Sequence, residues 1–141
     1  MKIFSASQIK ELDRYTIENL PITSLDLMEK ASKAFINQYT DLYPIDRPVY
    51  VVAGTGNNGG DGMAVARLLK ERGFEVQAFV IRSSSKSTDD FTTNFKKLQQ
   101  LISINEIKDA HDFPKLPDNA VVIDALFGSG LSRPVEGLQA E

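Results

Sequence analysis

Residues 49–62 read Val49-Tyr-Val-Val-Ala-Gly-Thr-Gly-Asn-Asn-Gly-Gly-Asp-Gly62, a β-branched run that breaks into five glycines, two asparagines and one aspartate. Glycine loses more backbone entropy on folding than any other residue, so a cluster this dense at a strand end implies a sharp turn whose amides something approaches closely. Met63, Ala64, Val65, Ala66, Leu68 and Leu69 then form a helical run that ends at Arg72-Gly73. A basic residue in the last turn and a glycine just past it are helix stop signals. Strand, glycine loop and helix start come in the order that offers unpaired N–H groups and a positive dipole end to a phosphate.

Three known motifs can be compared with this loop. Gly54, Gly56 and Gly59 satisfy G-x-G-x-x-G between strand and helix, the context of a dinucleotide fingerprint. That fingerprint also calls for an acidic residue at the end of the next strand, and Phe74 to Ile81 runs instead into Arg82-Ser-Ser-Ser-Lys86, which argues against ordinary NAD-dehydrogenase binding. A P-loop would place Lys and Ser or Thr where Asp61-Gly62 stands. Ser129 lies between Gly128 and Gly130, but Phe127 occupies the position where a nucleophile elbow needs glycine.

Outward from the loop, Ser5 and Gln8 form a capping box for a first helix with Ile9, Leu12 and Ile17 on one side, ended by Leu20-Pro21. Thr23 or Ser24 caps a second, whose Leu25, Met28, Ser32, Phe35, Ile36 and Tyr39 recur at helical steps as a packing face. Strands follow at Val49 to Ala53 and Val76 to Ile81. Ser87 or Thr88 caps a helix with Phe91, Phe95, Leu98 and Leu101 at helical spacing, the first three as a core stripe, before strands at Ile104 to Ile107 and Ala120 to Ile123. The last, fully apolar, reads as buried on both faces. Alternating strands and helices specify an α/β fold, a Rossmann-like three-layer, doubly wound, mainly parallel sheet with N-terminal helices. Ligands of such sheets bind beyond the carboxyl ends of strands, so Asp124-Ala-Leu-Phe-Gly-Ser-Gly-Leu-Ser-Arg-Pro134 is expected to face the same cleft as the first loop.

Composition narrows the chemistry. The 141 residues are 42% hydrophobic and 25% charged, as expected of one domain with one core. A net charge of −3 gives no reason to expect nucleic acid as a partner. Zero cysteines exclude thiol catalysis and cysteinyl metal sites, and one histidine excludes a multi-histidine centre. A hard, oxygen-ligated cation stays open. No run approaches the roughly 20 apolar residues of a membrane span, and the start lacks a leader pattern, so a cytoplasmic protein without membrane partners is expected.

Gly56-Asn-Asn-Gly-Gly-Asp-Gly62, Asp124-Ala-Leu-Phe-Gly-Ser-Gly-Leu131, and Asp13 to Thr16 with Leu27-Met28-Glu29-Lys30-Ala31 together resemble the YjeF N-terminal domain family, from about Ser5 to the last residues. That resemblance implies NAD(P)H-hydrate epimerase activity, interconverting the R and S hydrates of damaged NADH and NADPH (NADHX and NADPHX) for nicotinamide repair. A dehydratase specific for S, fused or separate, would be the partner, and a homodimer is conceivable. By motif, Asn57, Asn58, Gly59, Gly60 and Asp61 would line the substrate site. Gly128, Ser129, Gly130, Leu131, Ser132, Arg133 and Pro134 would form its second wall. Asn58 and Asp124 would hold a potassium ion, and Asp61 would orient hydroxyls or exchange a proton. Family members continue through further strands and an Asp-x-Pro-Ser-Gly loop bearing another aspartate, so residues 1–141 are expected to be one domain incomplete at its C-terminus that binds better than it epimerises.

Other readings compete with these. Asp124 could cap the turn that follows it. His111, Arg82 and Lys86 read as solvated loop residues. A non-catalytic nucleotide- or protein-binding module, or an NADP oxidoreductase half-domain using Arg82 for the 2′-phosphate, are the alternatives in function.

Overall fold

The computed structural model describes residues 4–129 and 134–140. Its parallel sheet consists of β1 (Val49–Ala53), β2 (Val76–Ile81), β3 (Ile104–Ile107) and β4 (Val121–Ala125) in the order β3-β2-β1-β4. The helices are α1 (Ala6–Asn19), α2 (Ser24–Leu42), α3 (Asn57–Glu71) and α4 (Asp89–Gln99), with short 3-10 turns at Ala110–Asp112 and Gly137–Gln139. The α/β expectation holds. From β1 the chain winds through α3 to β2 and through α4 to β3, then crosses back to set β4 on the other flank of β1. This reversal between β1 and β4 is the switch point at which open α/β sheets bind ligands. Ala53 pairs with Ala125, so the two strands end level.

Local signals account for most boundaries. Ser5 and Gln8 cap α1 reciprocally, and Thr23 does so for α2 with Asp26. The Thr88 side chain accepts from the Phe91 amide at the start of α4. Gly73, at φ +90°, ends the α3 segment in the left-handed region that favours glycine.

Val49, Val51 and Ala53 cluster with Ala78, Val80 and the inner faces of α2, α3 and α4, where Ile36, Met63, Leu69, Phe91 and Leu98 are fully buried. Because α3 lies between α2, α4 and the sheet, it is buried almost all round, which its small and apolar residues permit. Glu29 draws α2 onto α3 through Arg67 Nη2 at 2.5 Å, and Arg67 also holds Glu71 at 2.9 Å. The opposite sheet face gathers Tyr50, Phe79, Ile81 and Ile107, with Leu138 packed against them.

None of α1 is buried, so the side carrying Ile9, Leu12 and Ile17 is open to solvent. Two expectations are corrected. Phe35 falls outside the packing face of α2 and is 44% exposed. The last strand extends to Ala125, and Val122 (48% exposed) and Asp124 lie open on one of its faces. An apolar run is equally compatible with an edge strand covered on one side, which is the arrangement found. No helix among the described residues is long and apolar enough to cross a membrane.

Candidate active site

The site begins where β1 and β4 touch. Gly54 N donates to Ala125 O at 3.1 Å, and a Cβ on Gly54 would stand 2.6 Å from Leu126 O, so only glycine fits that contact. Helix α3 starts at Asn57, six residues before Met63, where the sequence placed the helical run. Glycine disfavours a helix interior, but here its lack of a side chain lets the first turn approach the strand ends. On Gly59 a Cβ would lie 1.9 Å from Gly54 O, and on Gly62 it would lie 2.5 Å from Ala125 Cβ. Tight turn at Gly54, open approach at Gly56 and close helix packing at Gly59 match the separate roles of the three glycines in G-x-G-x-x-G.

Gly56 is the N-cap and brings no side-chain cap, and the first helical bond runs from Gly60 N to Gly56 O at 3.0 Å. The amides of Asn57, Asn58 and Gly59 therefore precede the ladder at the positive end of the α3 dipole. Asn57 and Asn58 border a cavity of about 600 Å³ over the switch point, lined also by Thr55, Asp61, Phe127, Gly128 and Ser129. Thr55 anchors the neighbouring loop, since its Oγ1 donates to Lys86 O at 2.9 Å and its carbonyl accepts from Thr88 N at 3.0 Å. From the other side, Asn58 Nδ2 donates to Phe127 O at 3.0 Å, joining the two glycine turns.

Asp61 is the titratable centre. It is half-buried in the second turn of α3, and burial, reinforced by the charges of Asp90 and Asp13, raises its pKa to about 6. Asp90 is itself held by the Ser24 hydroxyl. A carboxyl that titrates near neutrality inside a cavity is suited to exchanging a proton with a bound molecule.

The sequence pattern of the YjeF-related protein N-terminus family matches residues 24–141. This chain belongs to that family. It is 40% identical over 136 residues to a protein of Limosilactobacillus fermentum named NAD(P)H-hydrate epimerase, covering 96% of this chain and 64% of that relative. A Rhodobacter capsulatus protein of the same name is 32% identical, with coverages of 96% and 66%. A Thermofilum pendens protein named bifunctional NAD(P)H-hydrate repair enzyme is 34% identical, and the match takes up 27% of its length. The chain thus spans about 58–66% of the length of the single-function relatives it matches. The crystal structure of yeast ynu0 superposes with a TM-score of 0.81 at 24% identity, covering 98% of this chain and 61% of the other, which shows a shared fold.

Within this family member, the residues singled out by motif divide into groups. Asn57, Asn58, Asp61, Gly128 and Ser129 line the one cavity. Gly59 and Gly60 are buried behind it: Gly59 lies against Gly54 O, while a Cβ on Gly60 would stand 3.1 Å from Met28 Cε and 3.2 Å from Phe91 N. Pro134 is exposed and absent from the lining, and Gly130, Leu131, Ser132 and Arg133 lie outside the described residues. Asn58 and Asp124 share a second cavity of about 280 Å³ with Asp61, between α2, α3 and β4. Asp124 also fulfils the plainer role anticipated for it, since its Oδ1 accepts from Leu126 N at 2.9 Å.

Sequence reasoning missed Lys10, Thr55, Ser83, Leu126, Phe127 and Gln139 as lining residues, and gave Asp13 no role. Thr55 and Phe127 sit inside the two quoted motifs and could have been included. Nothing in the α1 pattern signals that Lys10 and Asp13, one helical turn apart, face the glycine turn.

Proposed function

We propose that this chain carries the epimerase site of NAD(P)H-hydrate repair, interconverting the R and S hydrates of NADHX and NADPHX. One observation supports it above the rest. The uncapped glycine-rich helix start and a carboxyl titrating near neutrality occupy one cavity at the sheet's switch point, which suits a molecule with a pyrophosphate and a proton to exchange. In this reading the amides of Asn57 and Asn58 bind the pyrophosphate. Asp61 receives and returns the proton, and Gly128 and Ser129 border the substrate on the other side. The S hydrate would pass to a dehydratase, fused or separate; a homodimer remains part of the proposal. A nicotinamide repair enzyme works where the cofactor pool turns over, which is the basis for proposing a cytoplasmic location.

Asn58 and Asp124 fit a potassium ion in donor chemistry. With Asn58 Nδ2 and Asp124 Oδ1 engaged by backbone, Asn58 Oδ1 and Asp124 Oδ2 have no hydrogen-bond partner among the described residues and would be the oxygens offered to a cation. A weakly polarising ion suits one neutral amide oxygen and one carboxylate, and when bound it would supply positive charge beside the substrate. Potassium at matched ionic strength should raise the melting temperature more than sodium or choline does. Asp124→Asn, which keeps the acceptor for Leu126 and removes the charge, should abolish that difference. Equal responses to all three ions would remove the cation from the site.

The test of the reaction is the equilibration of purified R and S hydrates, followed by chromatography. The 141-residue chain should bind the hydrates, yet equilibrate them roughly 100- to 10,000-fold more slowly than the longer epimerase relatives, as expected if a proton-transfer group outside it contributes. Equal rates would place all the chemistry within these residues. Absence of both binding and turnover would refute the assignment.

A further inference from the structure

A third cavity, of about 410 Å³, adjoins the first along the carboxyl edge of the sheet, over the ends of β2 and β3. Ser83 and Gln139 belong to both, so a ligand seated on the α3 amides can extend into it without leaving the protein surface. Arg82 and Lys108 bring positive charge to its wall, and Glu106 and Glu136 bring negative charge. The loop that borders it, Arg82-Ser-Ser-Ser-Lys-Ser-Thr88, has two cations, several hydroxyls and no carboxylate. Its position is fixed by the bonds from Thr55 to Lys86 and Thr88, which hold it against the glycine turn.

The residue just past β2 is where dinucleotide-binding sheets read the ribose that follows the pyrophosphate. A carboxylate there accepts from the free hydroxyls, whereas an arginine accommodates a 2′-phosphate. Arg82 occupies that place. Its present partners are weak: Nε lies 3.7 Å from Glu106 Oε1, with the two side chains 34% and 45% exposed, and Nη1 reaches Ser87 Oγ at 3.4 Å. An ion pair this long and this exposed contributes little, so the guanidinium can turn to a phosphate dianion at small cost. A bidentate charge-assisted contact would more than offset it. We propose that Arg82, with Lys108 at the end of the neighbouring strand, is a specificity determinant for a 2′-phosphate, so that the hydrate of the phosphorylated dinucleotide is the preferred substrate.

This inference rests on the reading of the first cavity as a dinucleotide site, and the probes separate the two. Adenosine 2′,5′-bisphosphate and adenosine 5′-monophosphate differ only in the 2′-phosphate. Titration calorimetry should find the bisphosphate bound about 10- to 100-fold more tightly. Arg82→Gln should erase most of that preference, leaving the monophosphate affinity and the melting temperature unchanged. Glu106→Gln, which frees Arg82, should preserve or increase it. Equal binding of the two probes, or tighter binding of the monophosphate that Glu106→Gln weakens, would assign the cavity to an unmodified ribose and overturn the inference while the dinucleotide site stands. Binding of neither probe would overturn both.

Discussion

The turn after β1 and the turn after β4 lie side by side on one sheet edge and both carry closely spaced glycines, but the contacts around those glycines differ. In the first, added Cβ atoms on Gly54 and Gly59 would meet backbone oxygens at 2.6 and 1.9 Å. In the second, a Cβ on Gly128 would meet only the side chain of Asn58, at 3.3 Å from its Cβ. The β1 glycines are therefore required by the fold itself, because they let α3 reach the strand ends. Gly128 adjoins the site without holding the sheet together. Only Gly56 of the first turn has open space at its missing Cβ, and there the cavity, rather than the core, bounds what can be added.

The largest expected effect exploits this difference. Gly59→Ala should lower unfolding free energy by at least about 3 kcal/mol, since a backbone oxygen cannot yield as a side chain does and α3 must lift away from β1. Denaturant melts would show it as a lost or sharply lowered midpoint. A binding defect in a normally stable Gly59→Ala protein would mean that the glycine serves ligand approach instead of packing, and the contrast between the two turns would collapse. Gly56→Ala is then the substitution that probes ligand approach with the fold intact.

Asp61 sharpens the comparison, because it belongs to the rigid wall and yet carries the reactive group. Its folded pKa of about 6 lies above the ordinary carboxylate value, so its proton stabilises the fold fully below about pH 4, and this contribution is lost as the pH rises through 6. At neutral pH the ionised carboxylate is a burden, faced by Asp13 and Asp90, with Lys10 on the same cavity wall. Asp61→Asn should stabilise the protein by roughly 1 to 2 kcal/mol at pH 7, after allowance for partial solvent screening, and should flatten the stability profile between about pH 4 and 6. The same change should remove 100- to 10,000-fold of any epimerisation. A variant that keeps the rate, or that loses stability at pH 7, would assign Asp61 to structure.

What the sequence revealed follows the range of the interactions involved. Capping at Ser5, Thr23 and Thr88 and the strand of Val49–Ala53 depend on neighbours in the chain, and all were legible. The early start of α3 was not, because Gly59, Gly60 and Gly62 are unfavourable in a helix on propensity alone, and only Gly54, Met28, Phe91 and Ala125 show why they are there. The exposure of α1 was not legible for the related reason that periodicity names an apolar side without saying whether anything covers it. Lys10 and Asp13 reach the cavity from a helix more than 40 residues away in sequence, a proximity that only the tertiary fold creates.

The smallest effect tests the looser turn. At Gly128 a new methyl group meets the first side-chain atoms of Asn58 at 3.3 and 3.6 Å, and the backbone there does not occupy the left-handed region. Gly128→Ala should therefore cost less than about 1 kcal/mol of stability, mainly by stretching the 3.0 Å bond from Asn58 Nδ2 to Phe127 O. Because that bond connects the two turns, its weakening should be visible as faster amide exchange in residues 126–129 while β1 and α3 stay protected. If exchange accelerates equally in the first turn of α3, the two turns form one cooperative unit, and the distinction between a wall set by packing and a wall set by a single side chain does not hold.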